Sequence, residues 1–369
     1  MIFRAPRALV VLGLVPLLAA CSAVGDIRRE PAPRPSTSPR AIVPGPSPEA
    51  EGVELRRFEP AIAGRHDSPY VEFTDRSHGW ALFGSCGGQP PSGKCPAQLF
   101  LTLDGGRTWS KVRHPRPTAP DQQLYAAPGL VAIWLGEGGG GAGDGWYVSA
   151  DGGASFTHSS QEPAVWRAAQ GRFQVAEATG RVAEWDGRKL RTLPAQPRIP
   201  ALNTVAQTRD ILVAAGADGR RPYAAISGDQ GRSWQTTPLP AQVGEVDLLR
   251  VVVAPDGEPW LIGERADRLD FPALWRWFGR WVAVPAARHP AQVKSVVPVG
   301  GGRLAVTGPD GVGAVIEGRY DPIAWPLTPD HYLTVLADGT VQARGPQDVL
   351  LGTGSGTTRK WARVVLLDS

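Results

Sequence analysis

The sequence is poor in side chains that bind metals or cofactors. It has three cysteines and six histidines, and the histidines are scattered without the spacing of metal ligands. Cys86 and Cys95, with only His78 nearby, supply too few ligands for a zinc site. The glycine-rich stretch at 136–145 lacks the Gly-Lys-Ser/Thr ending of a phosphate-binding loop. We therefore expect no metal and no cofactor.

A large excess of charge is also missing. The chain has 39 basic and 35 acidic residues, a formal net charge of +4. Loss of Arg4 and Arg7 with an export signal would leave 37 basic against 35 acidic residues. Such a balance gives no reason to expect nucleic acid as a partner.

Methionine occurs once, at position 1, whereas glycine occurs 45 times and tryptophan 13 times. This composition favours strands, tight turns and aromatic packing over a helical bundle. Because 42% of the 369 residues are apolar, many short strands can form one large domain. The sequence predicts an all-β fold and a monomer.

The apolar run at 8–20 is too short for a membrane-spanning helix, and Arg4 and Arg7 precede it as in an export signal. The closing Leu-Ala-Ala-Cys at 18–21 resembles the lipobox of bacterial lipoproteins. The resemblance implies that residues 1–20 are removed and that Cys21 carries acyl chains such as palmitate. The protein would then be exported and anchored to the outer surface of a bacterial cell membrane. An ordinary secretory signal with a buried cysteine is the alternative.

Residues 21–52 have the composition of a linker. Seven prolines lie between Pro31 and Pro48, mixed with serine, threonine and arginine. Proline-rich chain of this kind extends about 3.1 Å per residue, so it could hold a folded body up to about 80 Å from the bilayer. We expect the folded domain at 53–369.

Three stretches, at 102–109, 149–156 and 227–234, share the pattern hydroxyl-x-Asp-x-Gly-x-hydroxyl-aromatic. Each follows an apolar run, which predicts a hairpin turn. The aspartate would accept backbone N–H bonds, glycine would adopt positive φ, and the aromatic residue would begin the next strand. The predicted structural residues are Asp104, Gly106, Trp109, Asp151, Gly153, Phe156, Asp229, Gly231 and Trp234.

This pattern resembles the Asp-box, or bacterial neuraminidase repeat, of sialidase-like β-propellers. Degenerate turns continue the series to Trp361 at a mean spacing of about 42 residues, the length of a four-stranded blade. The resemblance and the spacing predict a β-propeller of seven four-stranded blades, with six or eight left open. The predicted inner strands are 70–75, 122–127, 165–169, 203–208, 247–253, 293–299 and 331–336. Residues 53–58 are either a strand that latches the ring or a lead-in.

Residues 73–75 and 79–82, Phe-Thr-Asp and Gly-Trp-Ala-Leu, are similar to the repeat of exported propellers of the Ycf48 type. That likeness covers the first blade and supports the fold more than the role. Sialidases carry an arginine in a Phe/Tyr-Arg-Ile-Pro motif on their first blade. Here the first strand has no arginine, and the sole Arg-Ile-Pro begins at Arg198. We therefore predict no catalytic residues, with an exported sialidase-like glycoside hydrolase as the alternative.

Two further sites are predicted, one from the export context and one from the lengths of the loops. Cys86 and Cys95 are predicted to form a disulfide. Loops opposite the aspartate turns are long, and they are predicted to bind an extracellular protein or glycan, or to support assembly. Their candidate binding residues are Arg220, Arg221, Arg265 and Arg268.

Overall fold

The computed structural model describes residues 52–61, 69–84, 96–117, 122–136, 143–218, 221–242 and 244–366. Cys21, Cys86, Cys95 and Arg220 lie outside these residues, so their predicted roles stay predictions. Within them the chain forms seven sheets, and the first strands of several neighbouring sheets contact one another. This arrangement is a seven-bladed β-propeller, which confirms the predicted fold class.

The strands run in chain order through the ring. An N-terminal strand, β1 (Val53–Phe58), is followed by blade one with β2 (Tyr70–Phe73), β3 (Gly79–Gly84), β4 (Ala97–Thr102) and β5 (Ser110–Val112). Blade two has β6 (Gln122–Ala127), β7 (Leu130–Leu135), β8 (Gly145–Ser149) and β9 (Thr157–Ser159). Blade three has the helix α1 (Ala164–Ala169) and strands β10 (Phe173–Ala176), β11 (Arg181–Trp185) and β12 (Leu190–Thr192).

The second half of the ring is more regular. Blade four has β13 (Leu202–Gln207), β14 (Leu212–Ala217), β15 (Pro222–Ser227) and β16 (Gln235–Pro238). Blade five has β17 (Leu248–Val253), β18 (Pro259–Glu264), β19 (Ala273–Trp277) and β20 (Trp281–Ala283). Blade six has β21 (Ser295–Gly300), β22 (Arg303–Gly308), β23 (Gly311–Ile316) and β24 (Arg319–Pro322). Blade seven has β25 (Tyr332–Val335), β26 (Val341–Arg344), β27 (Asp348–Ser355) and β28 (Thr358–Leu366).

The core lies between the blades, because each blade buries both faces against its neighbours. Seven hydrophobic clusters join successive blades around the ring. Between blades one and two, for example, Trp80 and Leu99 pack with Ile133, and all three side chains are buried. Strands inside the blades are therefore buried along nearly their whole length, as β14 (Leu212–Ala217) and β18 (Pro259–Glu264) are.

The ring is closed by the N-terminal strand. Strand β1 pairs in parallel with β28, from Val53 opposite Trp361 to Phe58 opposite Leu366, so the closing sheet has five strands. This pairing resolves the alternatives for residues 53–58, which latch the ring.

The predicted inner strand at 165–169 was wrong, because this segment forms the helix α1 and blade three has three strands within the described residues. Alanine and arginine favour helix, and Pro163 precedes the first turn. Gln174, in the strand that follows the helix, donates its side-chain amide to the carbonyls of Arg167 in α1 (2.7 Å) and Gly171 (2.8 Å). Trp166, 2% exposed, fills the boundary with blade two beside Tyr125 and Trp146.

The alternation of strand direction gives the propeller two faces. We call the face that carries the aspartate turns at 102–109, 149–156 and 227–234 the turn face. The opposite face carries Asp218 and Arg221, which flank the strands β14 and β15, and the connection at 265–272, and we call it the loop face. Within the described residues, no helix is long and apolar enough to cross a membrane.

Candidate binding surfaces and the aspartate turns

Each aspartate turn is held by its own side chains. In the first, the Gly106 N–H donates to Thr102 Oγ1 (2.8 Å), and that hydroxyl donates to Asp104 Oδ1 (2.9 Å). The Thr108 N–H and hydroxyl donate to the two oxygens of Asp104 at 2.9 and 2.7 Å. Gly105 and Gly106 have φ of 74° and 90°, values that side chains with a Cβ rarely adopt. The second and third turns repeat these bonds through Ser149, Asp151, Gly153 and Ser155, and through Ser227, Asp229, Gly231 and Ser233.

These bonds keep all three carboxylates ionised. The hydroxyls of Ser155 and Ser149 lower the pKa of Asp151 to about 2, and Ser233 lowers the pKa of Asp229 to about 2. At Asp104, burial raises the pKa, but the hydrogen bonds from Thr108 and Thr102 outweigh it and bring the pKa to about 2. A carboxylate of this kind is a poor proton donor near neutral pH. The geometry therefore suits a turn better than general-acid catalysis.

The aromatic residue that ends each turn packs at a boundary between blades. Trp109 contacts Phe73 of blade one and Phe58 of the closing strand. Phe156 packs against the cluster between blades one and two. Trp234 packs between blades three and four and donates its indole N–H to the Ala195 carbonyl (3.3 Å).

Three glutamates on or beside the first and second strands of the blades form ion pairs with arginines. Glu72 accepts from Arg344 of blade seven at 2.8 Å, and Arg344 also donates to the Val71 carbonyl at 2.6 Å. Glu264 pairs with Arg250 at 2.5 Å, and Glu258 pairs with Arg276. A glycosidase places two carboxyl groups on either side of the scissile bond. Each of these three carboxylates instead forms an ion pair with an arginine. In the described part of the chain, no three His, Cys, Asp or Glu residues form a potential metal site.

The loop face carries the described members of the predicted binding set. Arg221 and Arg268 are exposed in the connections of neighbouring blades four and five. Arg265 is held by the protein itself, because its guanidinium donates to the carbonyls of Glu245 (2.9 Å) and Phe271 (3.4 Å). Leu269, 52% exposed, lies beside Arg268 on this face.

A groove on the turn face was not anticipated from the sequence. It consists of two adjoining clefts at the boundary of blades three and four, of about 470 and 390 Å³. Arg172 lines both of them. The sequence feature that could have indicated the groove is the degenerate repeat of blade three. In the structure, helix α1 precedes the first strand of that blade.

Comparison with known proteins gives no family for this chain. No family model and no curated protein matches it. Similar solved structures include YCF48 bound to D1 peptide, with 16% identity over 82% of this chain and 81% of that one and a TM-score of 0.28. The GH74 xyloglucanase from Xanthomonas campestris has 14% identity over 85% of this chain and 47% of that one, with a TM-score of 0.31.

The acylaminoacyl peptidase of Pyrococcus horikoshii has 11% identity over 80% of this chain and 52% of that one, with a TM-score of 0.41. The chain therefore spans about half the length of the xyloglucanase and of the peptidase. Similarities at this level assign no function, and the seven-bladed architecture rests on the chain's own structure.

Proposed function

We propose that this protein is a non-enzymatic binding propeller, exported and held at the outer surface of a bacterial cell membrane by lipidated Cys21. It binds a protein or glycan of the cell envelope, or supports the assembly of such components. The observation that carries this proposal is that the carboxylates already have hydrogen-bond or ion-pair partners within the protein. Asp104, Asp151 and Asp229 are bonded within their own turns, and the three glutamates on or beside the first and second strands are paired with arginines.

The loop face is the binding surface in this proposal. Arg221 and Arg268 offer exposed positive charge, and Leu269 offers apolar area beside it. A partner with acidic groups next to an apolar patch would satisfy both. Arg265 contributes by fixing the connection at 265–272 through the Glu245 carbonyl rather than by direct contact.

The direction of β1 supports the choice of this face. Strand β28 leaves the turn at 356–357 on the turn face, and β1 runs parallel to it. Val53 therefore starts at the turn face, where the linker at 21–52 joins the propeller. The loop face lies at the opposite end, where a partner meets the least obstruction from the anchored surface.

Site-specific photo-cross-linking in the producing cells tests the proposal. A photoreactive residue at Arg268, on the loop face of blade five, should give an adduct of one defined mass. The matched position Arg280 is equally exposed, in the turn between β19 and β20 of the same blade, and should give none. Purified protein should leave aryl sialosides uncut. Equal adducts at both positions, or sialoside turnover, would contradict the proposal.

A further inference from the structure

The groove on the turn face arises where blade three departs from the repeat. At two other boundaries the turns of neighbouring blades are joined by a direct hydrogen bond. The Arg76 N–H donates to Asp338 between blades seven and one (3.0 Å), and the Gly301 N–H donates to Asp256 between blades five and six (2.6 Å). Between blades three and four, by contrast, a cleft of about 470 Å³ separates residues 170–173 from residues 205–208.

The second cleft, of about 390 Å³, continues from Arg172 towards the third aspartate turn. We call it the outer cleft and the cleft of about 470 Å³ the inner cleft. Its walls are Arg172 and Glu184 on one side and Gln230, Gly231 and Arg232 on the other, with residues 193–195 between them. Both volumes fall within the range of small-molecule sites, which is about 300–1,000 Å³. The groove is thus large enough for a ligand that extends from one cleft into the other.

The polar groups in the groove suit sugar hydroxyls. Arg172 and Glu184 form an ion pair at 2.6 Å, and their side chains are 47% and 33% exposed, so the pair offers both donors and acceptors to a ligand. Gln170 and Gln207 line the inner cleft and add amide groups, although Gln170 also donates to Glu162 at 2.8 Å. The hydroxyl of Thr208 in the same cleft is bonded within its own turn to Ile211 and Asp210. A sugar hydroxyl donates and accepts at the same time, and this mixed lining matches it better than a purely basic surface would.

The charge around the groove favours an acidic sugar. Arg232 is exposed and forms no ion pair within the described residues, while the neighbouring Asp229 is occupied by its own turn. Arg188 and Lys189 are exposed on the adjacent turn of blade three. Their neighbour Asp186 already accepts the backbone N–H groups of both and the side chain of Arg191. The remaining positive charge can therefore meet a carboxylate of the ligand.

We propose that this groove binds a segment of an acidic polysaccharide that contains uronic acid residues. Arg232 binds a sugar carboxylate in the outer cleft, and the Arg172–Glu184 pair and the glutamines bind sugar hydroxyls. The site is on the face opposite Arg221 and Arg268, so it is independent of the loop-face partner.

Titration calorimetry of the detergent-solubilised full-length protein with polygalacturonate oligosaccharides tests this site. Arg232→Ala should weaken binding by about tenfold or more, the range for loss of a charged hydrogen bond. Arg280→Ala removes an exposed charge from the turn face of blade five, outside the groove, and should leave the affinity unchanged. An uncharged galactan oligosaccharide of equal length should bind about tenfold more weakly than polygalacturonate.

Two controls keep the outcome interpretable. Arg232 is exposed, so its variant should keep the thermal midpoint of the parent protein. Polyglutamate distinguishes a sugar site from attraction to any polyanion. Absence of polygalacturonate binding, equal affinity for polyglutamate, or an equal loss from Arg280→Ala would each overturn the proposal.

Discussion

The ring of Phe58 stacks on the ring of Trp109, with centroids 5.6 Å apart and an interplanar angle of 26°. This contact joins the N-terminal strand to the residue that ends the first aspartate turn. Phe58 also meets Phe100 edge-on at 5.2 Å. The latch of the ring and the repeated turn are therefore parts of one packing unit.

We predict that Phe58→Ala loosens ring closure. Loss of the aromatic contacts in this half-buried site should lower the free energy of unfolding by about 2–4 kcal/mol. Urea denaturation followed by tryptophan fluorescence measures the change. Glu59→Ala alters the adjacent exposed residue and should change the free energy by less than about 0.5 kcal/mol. Equal effects from the two substitutions would contradict the latch.

A second prediction concerns Thr102, whose side chain is almost fully buried. Thr102→Val keeps the shape but removes the oxygen that accepts the Gly106 N–H. Leaving that buried donor unpaired should cost about 1–3 kcal/mol of unfolding free energy. Thr108→Val, at the exposed hydroxyl of the same turn, should cost less in the same denaturation experiment. A larger loss at Thr108 would show that the carboxylate, not the buried hydroxyl, governs the turn.

The sequence predicted the regular parts of this architecture because the hydrophobic alternation and the aspartate turns are local signals. It could not reveal the pairing of β1 with β28, which joins residues some 300 positions apart. The strand predicted at 165–169 is a helix, because the residues there favour helix and Trp166 is buried from that helix. Arg265 was predicted to bind a partner because of its charge. In the structure it donates to the carbonyls of Glu245 and Phe271, and the contact with Glu245, 20 residues earlier in the chain, could not be derived from the sequence.

The third prediction concerns pH. Burial lowers the pKa of His114 from 6.5 to about 4, and the Arg116 N–H donates to its Nδ1 at 3.0 Å. The folded state therefore holds the imidazole neutral where the unfolded chain binds a proton. The contribution of neutral His114 to the free energy of unfolding is complete above pH 6.5 and is lost as the pH falls from 6.5 towards 4.

The loss should not exceed about 3.5 kcal/mol, because the two pKa values differ by about 2.5 and each pKa unit corresponds to about 1.4 kcal/mol. Thermal unfolding between pH 4 and pH 7 measures it, and His114→Gln should flatten the curve over this range. An unchanged slope in the variant would assign the pH dependence to other groups.

The fourth prediction is that Cys86 and Cys95 are linked by a disulfide. Closing a ring of about ten residues should contribute roughly 2.5–3 kcal/mol in the chain-entropy model. Peptide mass mapping of unreduced protein should recover the two cysteines in one linked fragment. Protein taken from the cell surface with both thiols open to alkylation would refute the bridge.

The proposed role depends most on attachment of the propeller to a membrane through Cys21. Intact-mass analysis of the protein extracted from the membrane fraction tests this directly. The predicted result is a chain that begins at Cys21 and carries the added mass of acyl chains, and Cys21→Ala should leave the protein unprocessed or release it from that fraction. A membrane-bound protein of unmodified mass, or unchanged processing and attachment in Cys21→Ala, would contradict the account.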